Sequence, residues 1–185
     1  MRVAGQLECL KQHGDSFTHV LYTDSQDALF LAPLTEIIDK YASMNSPPLL
    51  FTASDDTNDL SIYADLDLDW TTPLCYPAQT CFIGEVSYVI ECFSKLGHLF
   101  SEEHAHVEAW KEGWFRPVLD SSCRIFQNHP ELRGHENCIV KDGRVYNPLT
   151  DSYPSILHFG GGHSSWENGK DDRIIPWAKK LGILP

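Results

Sequence analysis

The chain has 185 residues, 42% of them hydrophobic and 11% aromatic, with 26 Asp and Glu against 14 Lys and Arg, a formal net charge of -12. That length suits one domain spanning residues 1–185, and the apolar content argues against disorder. The acid surplus disfavours nucleic acid, whose phosphates are held by clustered cations, and an anionic ligand would need a bound metal to reverse the local charge.

Taken in chain order, Val3, Leu7 and Leu10 predict a short amphipathic helix over residues 3–12, ahead of a strand over 18–23. After the break at Pro33, the spacing of Leu34, Ile37, Ile38 and Tyr41 predicts a helix that NSPP terminates. LLFTAS, residues 49–54, reads as a buried strand of a parallel sheet. The aspartate-rich segment 55–73 has no helical or strand period and reads as a long surface loop. TCFIG is a strand end, and Val86, Val89, Ile90, Phe93 and Leu96 form one face of a helix running to Gly97. Val107, Trp110 and Trp114 mark a further helix, with the tryptophans, Trp166 and Trp177 included, as packing residues. CRIFQ is a strand, IVKDGRVYN a hairpin about Asp142-Gly143, and SILHF a last strand opening into Gly160-Gly161-Gly162.

Strands alternating with helices predict an α/β sandwich. The six cysteines include no CxxC pair, which excludes a zinc knuckle or a thioredoxin-like motif and leaves most of them as core residues. The N-terminus MRVAGQLECLKQHGD lacks the apolar stretch of a signal peptide, and no apolar run is long enough to span a bilayer. The expectation is a cytoplasmic chain without membrane contact.

The chemistry concentrates in HVLYTDSQDALF, where an apolar strand ends in Asp24 and Asp27. Such a strand tip at the carboxyl edge of a parallel sheet is where α/β ligand sites form. Either aspartate alone reads as a helix cap, but two neighbouring carboxylates repel unless a cation lies between them. His158 ends another apolar strand. Alone it reads as a core histidine; with two carboxylates it suits Mn²⁺ or a related divalent ion that keeps positions open for ligand oxygens. The glycines after it, Gly160, Gly161 and Gly162, would let backbone N–H groups approach a phosphate, although a glycine triplet is also an ordinary turn.

VLYTDSQDALF, LLFTAS, CFIG, LDSSCRIFQN and PSILHFGGG occur in the order and approximate spacing of FVDSYDVIL, LLFSAE, GGFIG, LDHKSRIFQN and PIVVHGNGP in the glycosyltransferase domain of procollagen lysyl hydroxylases and related collagen-modifying glycosyltransferases. The chain resembles that family over nearly its whole length to about Ser165. The resemblance implies a GT-A type, Rossmann-like mixed sheet flanked by helices, and transfer of galactose or glucose from a UDP-sugar to a hydroxylysine-type or other hydroxyl acceptor. It also implies that Mn²⁺ is held by Asp24, Asp27 and His158. The family's DDDQ cluster falls on Ser101-Glu102-Glu103-His104, which makes Glu102 and Glu103 candidate catalytic residues that orient the acceptor or stabilise positive charge developing on the sugar, although a helix N-terminus also favours acidic residues. Trp70 corresponds to an aromatic that stacks on the donor.

Departures bear on the substrate. The family's NSGGFIG is here AQTCFIG, with Ala78-Gln79-Thr80-Cys81 in place of the polar platform, which leaves the acceptor open. The lysine that follows the family's glycine segment has no counterpart, so Lys170 or Arg173 would have to approach the phosphates. The first two βα units that cradle uridine in the family are missing, so the expected donor site is completed by another portion or by a homodimer partner. Two alternatives stand beside transfer: a degenerate, non-catalytic binding domain, and a metal-dependent hydrolase using His104 and His106, whose spacing would put two imidazoles on one face of a strand.

Overall fold

The computed structural model of the chain describes residues 2–24, 27–55, 60–96, 102–114, 116–128, 138–159 and 174–185. In chain order its elements are α1 (Arg2–His13), β1 (His19–Thr23), β2 (Ala28–Phe30), α2 (Leu34–Ser43), β3 (Leu49–Ser54), β4 (Tyr76–Glu85), α3 (Val86–Leu96), α4 (Glu102–Lys111), β5 (Val118–Asp120), β6 (Phe126–Asn128), β7 (Ile139–Lys141), β8 (Arg144–Tyr146), β9 (Ile156–His158) and α5 (Ile174–Lys180). Among the described residues, no helix is long and apolar enough to cross a membrane.

The architecture is mixed α/β. A four-stranded sheet runs β1-β4-β3-β5, a three-stranded sheet β2-β9-β6, and β7 pairs with β8. The expectation of a parallel environment for LLFTAS holds on one side only: β3 is parallel to β5 but antiparallel to β4. In the same way β9 is parallel to β6 and antiparallel to β2. The strand carrying Asp24 is antiparallel to β4, so the two aspartates do not stand at the edge of a parallel sheet. Asp24 follows β1 and Asp27 precedes β2, and between them the chain crosses from one sheet to the other.

Both faces of the central sheet are covered, and period-two alternation decides which residue goes where. Val20, Tyr22, Leu49, Phe51 and Phe82 point toward α1, α3 and α4, and meet Leu7, Leu10, Val89, Phe93 and Ala109. Their neighbours Leu21, Leu50, Cys81 and Ile83 point the other way, onto Ile37 and Tyr41 of α2 and onto Phe126 and Ile156 of the second sheet. The far side of the second sheet packs Leu29, Leu157 and Phe159 against Cys138, Val145 and Trp177. Of the four apolar residues that predict α2, Ile37 and Tyr41 are buried while Leu34 and Ile38 stay exposed.

The described part of the aspartate-rich segment, residues 60–73, runs over the surface as turns and loop, as its composition suggests, but it is held down by apolar side chains. Leu60–Tyr63 form a 3-10 turn, and Tyr63, Leu66 and Leu68 are buried against Val107 of α4. Asp65, Asp67 and Asp69 alternate with those leucines on the exposed side. The segment is thus a two-sided ribbon tied down by its apolar half. The Asp142-Gly143 hairpin is as predicted, with both residues at positive φ (53° and 74°), as a tight primed turn requires. All six cysteines are free thiols and only Cys9 is exposed.

LDSSCRIFQN owes its shape to one carboxylate. Asp120, fully buried at the end of β5, accepts backbone N–H bonds from Arg124, Ile125 and Phe126 at 2.9, 2.7 and 2.8 Å. These bonds fold the turn that launches β6. Burial pushes the Asp120 carboxyl above its ordinary range despite those donors. Replacing Asp120 with Ala strands three backbone donors, two of them buried, and should cost about 3 kcal/mol or more in urea unfolding. An Asp120→Ala protein as stable as wild type would remove this role.

Candidate metal centre

Three strand ends meet at one corner. Asp24 is anchored through its backbone and its side chain: its N–H donates to the Thr80 carbonyl at 3.2 Å, and Oδ1 accepts the Tyr22 hydroxyl at 2.8 Å. Tyr22 lies two residues back on the same strand face, stacked on Phe82 with ring centroids 5.2 Å apart. Asp27 is held by the second sheet, since its carbonyl accepts the Phe159 N–H at 2.8 Å and its neighbour Ala28 pairs with His158. His158 closes β9 and is only 1% exposed.

One ligand atom from each of Asp24, Asp27 and His158 lies within 4.8 Å of the others. His158 Nε2 is 3.7 Å from Asp24 Oδ2 and 3.2 Å from Asp27 Oδ1. The sequence-predicted ligands are therefore neighbours, brought from opposite ends of the chain. With the imidazole neutral, Asp27 Oδ1 and His158 Nε2 are buried without a hydrogen-bond partner, whereas a proton on Nε2 would make them an ion pair. Buried polar atoms left unpaired are costly, and either a proton on Nε2 or a cation bound between the two atoms would satisfy them. Two carboxylates and one imidazole form a donor set that suits a divalent cation with coordination positions left over.

The orientation of the imidazole comes from a residue to which sequence reasoning assigned no role. Asn128, the last residue of β6, pairs with His158 in the parallel register. Its Nδ2 donates to Ser54 Oγ at 3.4 Å, so its Oδ1 is the atom that faces His158 Nδ1, at 3.0 Å. Nδ1 therefore carries the proton and Nε2 turns its lone pair toward the aspartates, the arrangement by which outer groups select a metal-binding tautomer. Asn128 stands at the end of RIFQN, and only its position beside β9 gives it this task.

The remaining candidates fall in different places. Trp70 is 60% exposed and lies edge-on to Tyr76 at 5.8 Å. Tyr76 pairs with Ser54, the residue that Asn128 reaches, so Trp70 stands at the same end of β3 as the centre. Glu102 and Glu103 are the first two residues of α4, where the helix dipole favours acids, and their side chains lie outside the described residues. Gly160, Gly161, Gly162, Lys170 and Arg173 also lie outside the described residues. His104 and His106 sit in a helix, not a strand, so residues two apart are not on one face. His106 is buried between Phe51 and Phe93, with ring centroids at 5.6 and 5.9 Å. This removes the geometry on which the hydrolase alternative depends.

Neither a protein-family model nor a curated protein matches the sequence.

Burial pushes the His158 pKa down, but the two aspartates outweigh it and leave it raised above 6.5. The stability this adds is fully present below pH 6.5 and is lost as pH rises through the raised value. With EDTA present, Tm should fall on the alkaline side of that window, and His158→Gln should flatten the slope. A divalent ion competes with the same proton, so its affinity should rise with pH over the same interval. A pH-independent affinity would count against His158 as a ligand.

Proposed function

We propose that the chain is a divalent-metal-dependent glycosyltransferase, with Mn²⁺ as the ion, that moves galactose or glucose from a UDP-sugar to a hydroxyl acceptor. The observation that carries this reading is the convergence of Asp24, Asp27 and His158 at a corner where Asp27 Oδ1 and His158 Nε2 are buried without partners. The order of DSQD, LLFTAS, CFIG, RIFQN and SILHFGGG along the chain adds the reaction class by resemblance.

A bound divalent ion supplies charge neutralisation to a diphosphate and to the UDP that departs. The chain's own residues prepare for that. Asp24 and Asp27 provide the negative charge that holds a cation, on a protein whose net charge of -12 would otherwise repel the donor. Asn128 keeps His158 Nε2 turned inward. Tyr22 fixes one Asp24 oxygen, which leaves Oδ2 as the oxygen nearest His158. Trp70, exposed near the same sheet end, offers a ring face for a base or a sugar.

Titration of UDP into the protein by calorimetry tests the proposal. Binding should require Mn²⁺, and Asp27→Ala should weaken it by about 100-fold while the circular dichroism spectrum stays unchanged. UDP binding that ignores the metal, or an Asp27→Ala protein that binds UDP as wild type does, would overturn it. Metal-dependent UDP binding without turnover of UDP-galactose or UDP-glucose would favour the non-catalytic reading.

A further inference from the structure

Among the described residues, three buried side-chain polar atoms lack a hydrogen-bond partner: Asp27 Oδ1, His158 Nε2 and the hydroxyl of Thr80. The first two face each other across the metal centre. The third belongs to Thr80, whose carbonyl receives the Asp24 N–H, and has no part in the scheme above.

Thr80 is delivered there by an irregularity in β4. Phe51 pairs with Phe82, but the next residue, Thr52, pairs with Ala78, so residues 79–81 bulge opposite a single step of β3. Bulges re-aim side chains and are enriched beside active sites. This one is stabilised from below, because the fully buried Thr52 donates its hydroxyl to the Cys81 carbonyl at 2.9 Å. On the other side β1 pairs regularly up to Thr23 and Cys81, and the Thr80 carbonyl then receives the Asp24 N–H. The bulge thus positions Asp24 through the Thr80 backbone and leaves the hydroxyl of that same residue buried without a hydrogen bond of good geometry. A hydroxyl carries a donor that a pair of carboxylates and a neutral imidazole nitrogen cannot supply.

Resting on the metal-centre reading, we propose that Thr80 is a positioning residue of that centre, whose hydroxyl donates a hydrogen bond to an oxygen ligand of the ion, a water molecule in the substrate-free protein. The metal's open coordination positions would then be oriented by the β4 bulge.

Titrating Mn²⁺ alone into wild type, Thr80→Val and Thr80→Ser, with free Mn²⁺ read by electron paramagnetic resonance, decides the matter. Thr80→Val keeps the shape and removes the donor; it should weaken Mn²⁺ by about 10-fold, and Thr80→Ser should restore wild-type affinity. Thermal unfolding in EDTA supplies the second readout. Because the hydroxyl has only the weak acceptor of the adjacent Cys81 thiol within reach and makes no hydrogen bond of good geometry, Thr80→Val should melt close to or above the wild-type temperature. A Thr80→Val protein that binds Mn²⁺ as tightly as wild type overturns the role of Thr80 and leaves the centre standing. A loss of metal-free stability in Thr80→Val, not rescued in affinity by Thr80→Ser, would make the residue a packing element and also overturns it. Wild type that binds no Mn²⁺ removes the centre and this proposal together.

Discussion

Two carboxylates and an imidazole, gathered within 4.8 Å, form the constraint on which the rest of this corner depends. Like charges at such separation repel, and the repulsion is strengthened by a surrounding of low polarity. Two things relieve it: a proton on His158 or a cation among the three. The raised pKa of His158 is the first response, and the inward-facing carboxylate oxygens and imidazole nitrogen are the donor set that the second would use. Both place the same chemistry at the same point.

The fold holds that arrangement by anchoring each member through backbone it cannot easily change. Asp24 is tied to the β4 bulge, Asp27 to the strand edge beside Phe159, and His158 to a fully buried strand between β2 and β6. The crossing from Asp24 to Asp27 is also the crossing between the two sheets. The centre therefore sits where both hydrophobic layers end, and any relaxation that separated the carboxylates would disturb pairing in one sheet or the other.

LDSSCRIFQN links architecture to chemistry. Asp120 folds its turn by taking three backbone N–H groups, Gln127 is locked by Asn147 Nδ2 at 2.6 Å, and Asn128 at its end sets the histidine tautomer. One segment thus carries a buried structural acid, a buried amide pair and the residue that orients His158. Nothing in its composition separates those three tasks, because each is set by what lies across from it.

Much of the local structure was legible beforehand. Period-two and helical spacings located β1, β3, α1, α2 and α3, Asp142-Gly143 marked the hairpin, and the DxxD pair with a strand-end histidine named three side chains that the fold brings together. What escaped had weak local signals: β2 is three residues long, the buried Leu66 and Leu68 of the acidic loop make no ladder, and the β4 bulge changes no side-chain type. The imidazole pair His104-x-His106 was legible as a spacing, but the spacing acquires meaning only once helix or strand is decided, and α4 decided against it. Residue chemistry and short-range periodicity are properties of neighbours along the chain, so the sequence by itself determined which groups are available and which segments are helix or strand. Sheet membership, strand direction and the meeting of Asp24, Asp27, Asn128 and His158 come from pairings between segments far apart in the chain, and these only the packed tertiary structure decided.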